Sequence, residues 1–197
     1  MRAHVAVLVV LGILVAVLGG WAVSVNNQLV RLEQDVNEKW AQVQNVYQRR
    51  ADLIPNLVET VRGFAAQERT VLEEVTRARA AATGVQLTPE ALTDPKALER
   101  FQAVQRGLDG ALSRLLVVVE RYPELRSNQN FLTLQSQLEG TENRIAIERR
   151  RYNEAVRDYN TRLRLFPGSL VAAVAGFRPK AFFETSPDAA TPPRVKF

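Results

Sequence analysis

Arg49-Arg50-Ala51-Asp52-Leu53-Ile54-Pro55-Asn56-Leu57-Val58-Glu59-Thr60-Val61 is the stretch whose reading decides the fold. It lies inside a long apolar repeat and interrupts it with arginines and a proline. Leu29, Val36, Val43, Arg50, Leu57, Phe64 and Val71 fall seven apart. Trp40, Tyr47, Ile54, Val61, Glu68 and Val75 form a second seam with the same period. Such alternation of threes and fours belongs to a helix packed along one seam against partner helices. Pro55 has no N–H for an interior helical turn. Asp52, three residues ahead, is of a type that caps helix N-termini, and proline is tolerated in a first turn. Residues 49–55 therefore read as the top of a helical hairpin. A helix running straight through Pro55 would be a rod of about 80 Å, without partners over half its length.

Upstream, Val5 to Val25 is a run of 21 residues without a charge. As a helix it reaches about 31 Å, enough for a hydrocarbon core of ~30 Å. Trp21 stands near its end, where interfacial aromatic residues gather. The rival reading is a cleaved signal peptide, with Ala22-Val23-Ser24 as the cleavage site. Signal cores run about 7–15 residues, so a retained anchor is the reading adopted. Gly12, Ala16 and Gly20 stand four apart, the small-residue spacing that lets membrane helices associate; the plain alternative is that such residues are common in spans. Arg2 lies on one side of the run and Arg31, Lys39, Arg49 and Arg50 on the other, which favours a cytosolic bundle.

Downstream, apolar periodicity carries a second helix from Leu53 to Ala82, ending at Gly84. Thr88-Pro89 and Asp94-Pro95 mark a connection over 85–94. A third helix follows from Pro95 to Tyr122, where Pro123 ends it. The fourth begins near Asn128 and carries Phe131, Leu138, Ile145, Tyr152, Tyr159 and Phe166 seven apart. The fold expected is all-α: an N-terminal transmembrane anchor over 1–27 continuing into an antiparallel up-down-up-down four-helix bundle over 28–166. That course returns the fourth helix to the membrane. The apolar segment 167–184 then offers Phe177, Arg178, Lys180, Phe182 and Phe183, with Trp21, as a membrane interface. Its alternative is to fold back and cap the open end of the bundle. Residues 185–197, with Pro187, Pro192 and Pro193, read as a mobile tail.

The chain of 197 residues has no cysteine and one histidine, His4. Disulfides and thiolate metal sites are thereby excluded, and a bundle di-iron site lacks its Glu-x-x-His pairs. No phosphate loop, nucleophile elbow or zinc-protease motif occurs. No catalytic, metal or cofactor-binding residue is assigned, and no enzyme activity is expected. Of the net charge of +5, four fall in residues 127–197, with eleven basic side chains against seven acidic. Arg144, Arg149, Arg150, Arg151, Arg157, Arg162 and Arg164 interleave with Glu142, Glu148, Glu154 and Asp158. Interleaving suits a solvated or subunit-pairing face; lipid headgroups come next, and nucleic acid is not expected as a partner. Arg50 and Glu68 break the apolar seams. Pairing with charges on other helices, Glu142 or Glu148 for example, would fix register; otherwise the bundle frays there.

Residues 49–64 resemble the core signature of the LemA family of bacterial membrane proteins. Tyr122-Pro123-Glu124-Leu125, Asn128-Gln129-Asn130-Phe131, Thr141 to Ala146 and Arg151 to Val156 are similar to it too. So are Phe166-Pro167, Gly176 to Pro179 and Phe182-Phe183-Glu184. The resemblance marks Arg49, Arg50, Asp52, Pro55, Asn56, Asn128, Asn130, Arg144, Tyr152 and Asn153 as signature residues. It departs at Asn26 and Gln67, where members tend to carry Tyr and His. The resemblance implies an N-terminal membrane helix with a short external N-terminus, a cytosolic helical bundle and no established activity. The function expected is a scaffold or interaction protein of the bacterial inner membrane, partnered by the lipid bilayer and by its own copies. The competing expectation is an adaptor or sensor for an unidentified membrane partner protein.

Overall fold

The computed structural model describes residues 2–184, apart from the side chains at 3 and 5–7. The expected tail, 185–197, lies outside the described residues. All regular elements among them are helical. Helix α1 spans Arg2–Phe64, 63 residues, and carries Pro55 in its interior. The hairpin expected at 49–55 is therefore overturned: the chain reverses at 65–68 instead. Two physical reasons keep α1 whole. Leu57, Val58 and Val61 beyond the proline stay in phase with the seam and are buried, so ending the helix would discard their packing. Pro55 also frees the carbonyl of Ala51, four residues back, and Arg79 Nε of the next helix donates to it at 2.7 Å. Asp52 caps nothing and accepts from Gln48 Nε2 at 2.7 Å.

This pairing predicts a coupled effect. Arg79→Ala should cost ~1.5–3 kcal/mol, the range for a hydrogen bond to a charged group. In a Pro55→Ala background α1 supplies its own N–H to Ala51, so the same substitution should cost about 0.5 kcal/mol or less. Denaturant titration of the four proteins of this cycle checks it; equal costs in both backgrounds would show that Arg79 does not answer the proline.

Helix α2, Arg69–Gly84, runs back beside α1. A connection containing a 3-10 turn at Glu90–Thr93 leads to α3, Pro95–Val119. The Asp94 side chain accepts from Lys96 N at 3.0 Å, so Asp-Pro opens α3 as its sequence requires. Short helix α4, Pro123–Arg126, turns the chain into α5, Gln129–Arg164. Asn128 caps α5 by accepting from the N–H groups of Asn130 and Phe131. Helix α6, Gly168–Ala175, is closed by Gly176 at φ 79°, where a side chain would be strained.

Contacts across the bundle show the antiparallel course. Tyr122 Oη donates to Glu68 at the far end. Arg50 meets Asp109 and Glu142 midway, and Arg162 Nε donates to Gln28 at the membrane end. Helix α2 has only 16 residues, so it flanks just the far part of α1. Nearer the membrane its place is taken by residues 85–92 and by the chain end. Two cores result, one around Trp40, Phe101, Tyr152 and Tyr159, the other around Ile54, Leu57, Leu108 and Leu115.

Candidate functional site

At the centre of the bundle Arg50 is 1% exposed. It is held by residues from two other helices. Its guanidinium donates to Asp109 Oδ1 at 2.5 Å, Glu142 Oε1 at 2.7 Å and Gln105 Oε1 at 2.5 Å. Gln105 Nε2 in turn donates to the carbonyl of Ala82 on α2, and Arg50 lies over the ring of Tyr47. One cation thus joins all four long helices. Of the two acids suggested by sequence, Glu142 is the partner; Glu148 pairs with Arg151. Burial pushes the Asp109 carboxyl up, and Arg50 draws it back. Glu68, the other break in the seam, sits in the turn before α2 and pairs with Arg121.

The second polar arrangement ties down the chain end. Asn153 and Asn160 each form two hydrogen bonds to one residue's backbone, Asn153 to Phe183 and Asn160 to Lys180, at 2.8–3.0 Å. Tyr152 and Tyr159 donate to the carbonyls of Ala181 and Arg178. The sequence carries this as a repeated Tyr-Asn, seven residues apart. Seven residues of helix rise about 10.5 Å, and three residues of extended chain cover about 10 Å. The step from 153 to 160 therefore matches the step from 183 to 180. Burial pushes the pKa values of both hydroxyls up.

This corrects the expected membrane interface. Phe183 is 4% exposed, stacked on Trp40 at 6.0 Å and edge-on to Tyr152 at 5.3 Å. Lys180 is 6% exposed; its Nζ pairs with Glu33 and donates to the carbonyl of Pro89. Neither can reach lipid. Phe177 packs half-buried on the membrane-side core, whereas Arg178 and Phe182 stay exposed. Segment 178–184 folds back along α5, where the alternative reading had the whole apolar segment capping the open end of the bundle.

Gly12, Ala16 and Gly20 lie exposed on α1, and a Cβ at either glycine would meet nothing within 4 Å. Arg49, Asn56, Asn130 and Arg144 are exposed. No group of acids and histidine that could hold a metal lies among the described residues. From Leu8 to Leu18 every large apolar side chain is more than half exposed, and α1 is long and apolar enough to cross a membrane. Core packing begins at Val25, itself 4% exposed. An apolar sleeve of this size belongs in hydrocarbon rather than water, and the protein is membrane-associated.

Comparison with known proteins agrees with this architecture. The chain is 28% identical to magnetosome protein MamQ 2 of Paramagnetospirillum magneticum, over 84% of its own length and 67% of the relative's. It is 26% identical to magnetosome protein MamQ of Magnetospirillum gryphiswaldense over the same shares. The LemA family model matches residues 39–197, a range that takes in the Arg50 hub, both Tyr-Asn pairs and the segment they hold, and the chain belongs to the LemA family.

Proposed function

We infer that this protein is a scaffold of a bacterial cell membrane, with its bundle in the cytosol, and that it works by self-assembly rather than catalysis. The observation that carries this is the continuity of α1. One helix forms the apolar sleeve and then the spine of the bundle, so a position taken up in the membrane fixes the bundle that projects from it. The buried polar groups support the same reading. Arg50, Asn153, Asn160, Tyr152 and Tyr159 are engaged in joining helices and chain end. The exposed Gly12, Ala16 and Gly20 face offers close approach between two anchors.

The test is the mass of the full-length protein solubilised in mild detergent and purified alone. A homomeric particle of several copies is expected, reduced to fewer copies by Gly12→Leu with Gly20→Leu. A single copy that holds one other protein in fixed ratio would make it an adaptor instead.

A further inference from the structure

At the membrane end, α5 gives way to α6 through Leu165 and Phe166, which are 56% and 77% exposed. Gly168 makes this turn possible: a Cβ there would lie 2.1 Å from the carbonyl oxygen of Arg162. Helix α6 then lies against α1 and α5 on one face only. Ala172 is buried and Val171 partly so, while Leu170 and Val174 are 59% and 86% exposed. Leu170 and Val174 stand four apart on one side of α6, and the exposed Phe166 precedes them in the turn.

The level of this face along α1 is fixed by two contacts. The ring of Phe166 lies 6.2 Å from that of Trp21, inside the apolar sleeve. Arg162 bonds Gln28, just past the first core residue, Val25. The unpartnered apolar face therefore starts level with the last turns of the span and is continuous with it. Arg31, Arg164 and Arg178 are exposed near this end, and none pairs with a carboxylate among the described residues. The nearby acids are engaged: Glu33 with Lys180, Asp158 with Arg157 and Asp35 with Lys39.

We propose that α6 is a membrane-interface helix: Phe166, Leu170 and Val174 enter the bilayer beside Trp21, and Arg31, Arg164 and Arg178 bind anionic phospholipid headgroups. The proposal rests on α1 being a membrane anchor and adds a second, lateral contact. The span sets where the bundle emerges; a foot beside it also sets the tilt of α1 to the membrane and gives the protein a preference for anionic lipid. Apolar area beside cations is the composition that such interfacial helices use.

Because the chain has no cysteine, single labels can be placed without other changes. Full-length Val174→Cys, Leu14→Cys and Val117→Cys, each carrying a fluorophore, are reconstituted into vesicles with nitroxide-labelled lipids, mid-chain for 14 and shallow for 174 and 117. Leu14 reports the span; Val117, 69% exposed on α3, reports the bundle away from the membrane. The label at 174 is expected to be quenched at least threefold more than that at 117. Raising phosphatidylglycerol from none to 30% should increase quenching at 174, and Arg164→Gln with Arg178→Gln should remove that increase. A label at 174 that behaves like the one at 117, while 14 is quenched, overturns the foot and leaves the anchor standing. Loss of quenching at 14 as well overturns both. Quenching at 174 that ignores lipid charge overturns the headgroup assignment.

Discussion

Arg50→Ala is expected to lower the unfolding free energy of the full-length protein in detergent by about 3 kcal/mol, the lower end for breaking a buried ion pair. The reasoning starts from exposure. Arg50 itself is 1% exposed, but the side chains of Asp109 and Glu142 are about half exposed, at 50% and 47%. Without the arginine both carboxylates can rehydrate, so the stranded-charge cost stays below that of a fully buried pair. The loss also includes the bond to Gln105 and the volume of a large buried side chain. Arg50→Lys should recover little, since one ammonium cannot reproduce a fork that reaches three acceptors at once. Arg50→Met, which refills the volume, should cost about half as much as Ala. Chemical denaturation followed by Trp40 fluorescence measures all three. A loss under 1 kcal/mol for Arg50→Ala would mean that the hub does not hold the helices together.

The hub also carries a cost of its own. The Arg50 Nε hydrogen has no acceptor among the described residues, and an apolar side chain would avoid that desolvation. What the arginine supplies is register. Helices sliding by one turn along apolar seams lose little packing, but they lose all three of its acceptors.

Much of this fold is legible in the sequence because heptad spacing survives translation into burial. Leu29, Val36, Val43 and Leu57 on one seam, and Trp40, Tyr47, Ile54 and Val61 on the other, are buried throughout. Asn128 and Asp94 open their helices as their residue types require. Pro55 was misleading for a definite reason. The cost of an interior proline depends on what answers the freed carbonyl, and Arg79 lies 28 residues away. The unbroken phase of Leu57 and Val61 was the better signal. The chain end is hidden differently: composition makes 167–184 uniformly apolar and basic, while its split into a docked irregular segment and an exposed helix is decided by partners on α5. The repeated Tyr-Asn at 152 and 159 was the available sign. Two amides one heptad apart, beside a core seam, offer backbone-like partners to an extended chain.

The neighbouring phenylalanines Phe182 and Phe183 give the sharpest test of that split. Phe183→Ala is expected to destabilise the protein by ~3–5 kcal/mol, the range for emptying a fully buried aromatic site. Its ring is 4% exposed and packs on both Trp40 and Tyr152, with the Arg149 guanidinium 4.7 Å above it. Removing it opens a cavity against three large side chains that cannot collapse together, because Trp40 is pinned by its bond to the Leu87 carbonyl and Tyr152 by its bond to Ala181. Phe182, one residue earlier on the alternate face of the extended segment, is 43% exposed, and Phe182→Ala should change stability by no more than about 0.5 kcal/mol. If both residues served as membrane contacts, the two substitutions would have equal and small effects on unfolding and equal effects on lipid binding. A docked segment demands the reverse: one residue governs stability and the other does not. Asn153→Ala, which strands the N–H and carbonyl of Phe183 without touching its ring, should fall between them at ~1–3 kcal/mol. Unfolding of these three variants in detergent, read by Trp40 emission, ranks them directly. Equal values for Phe182 and Phe183 would take segment 178–184 out of the core and return it to the membrane.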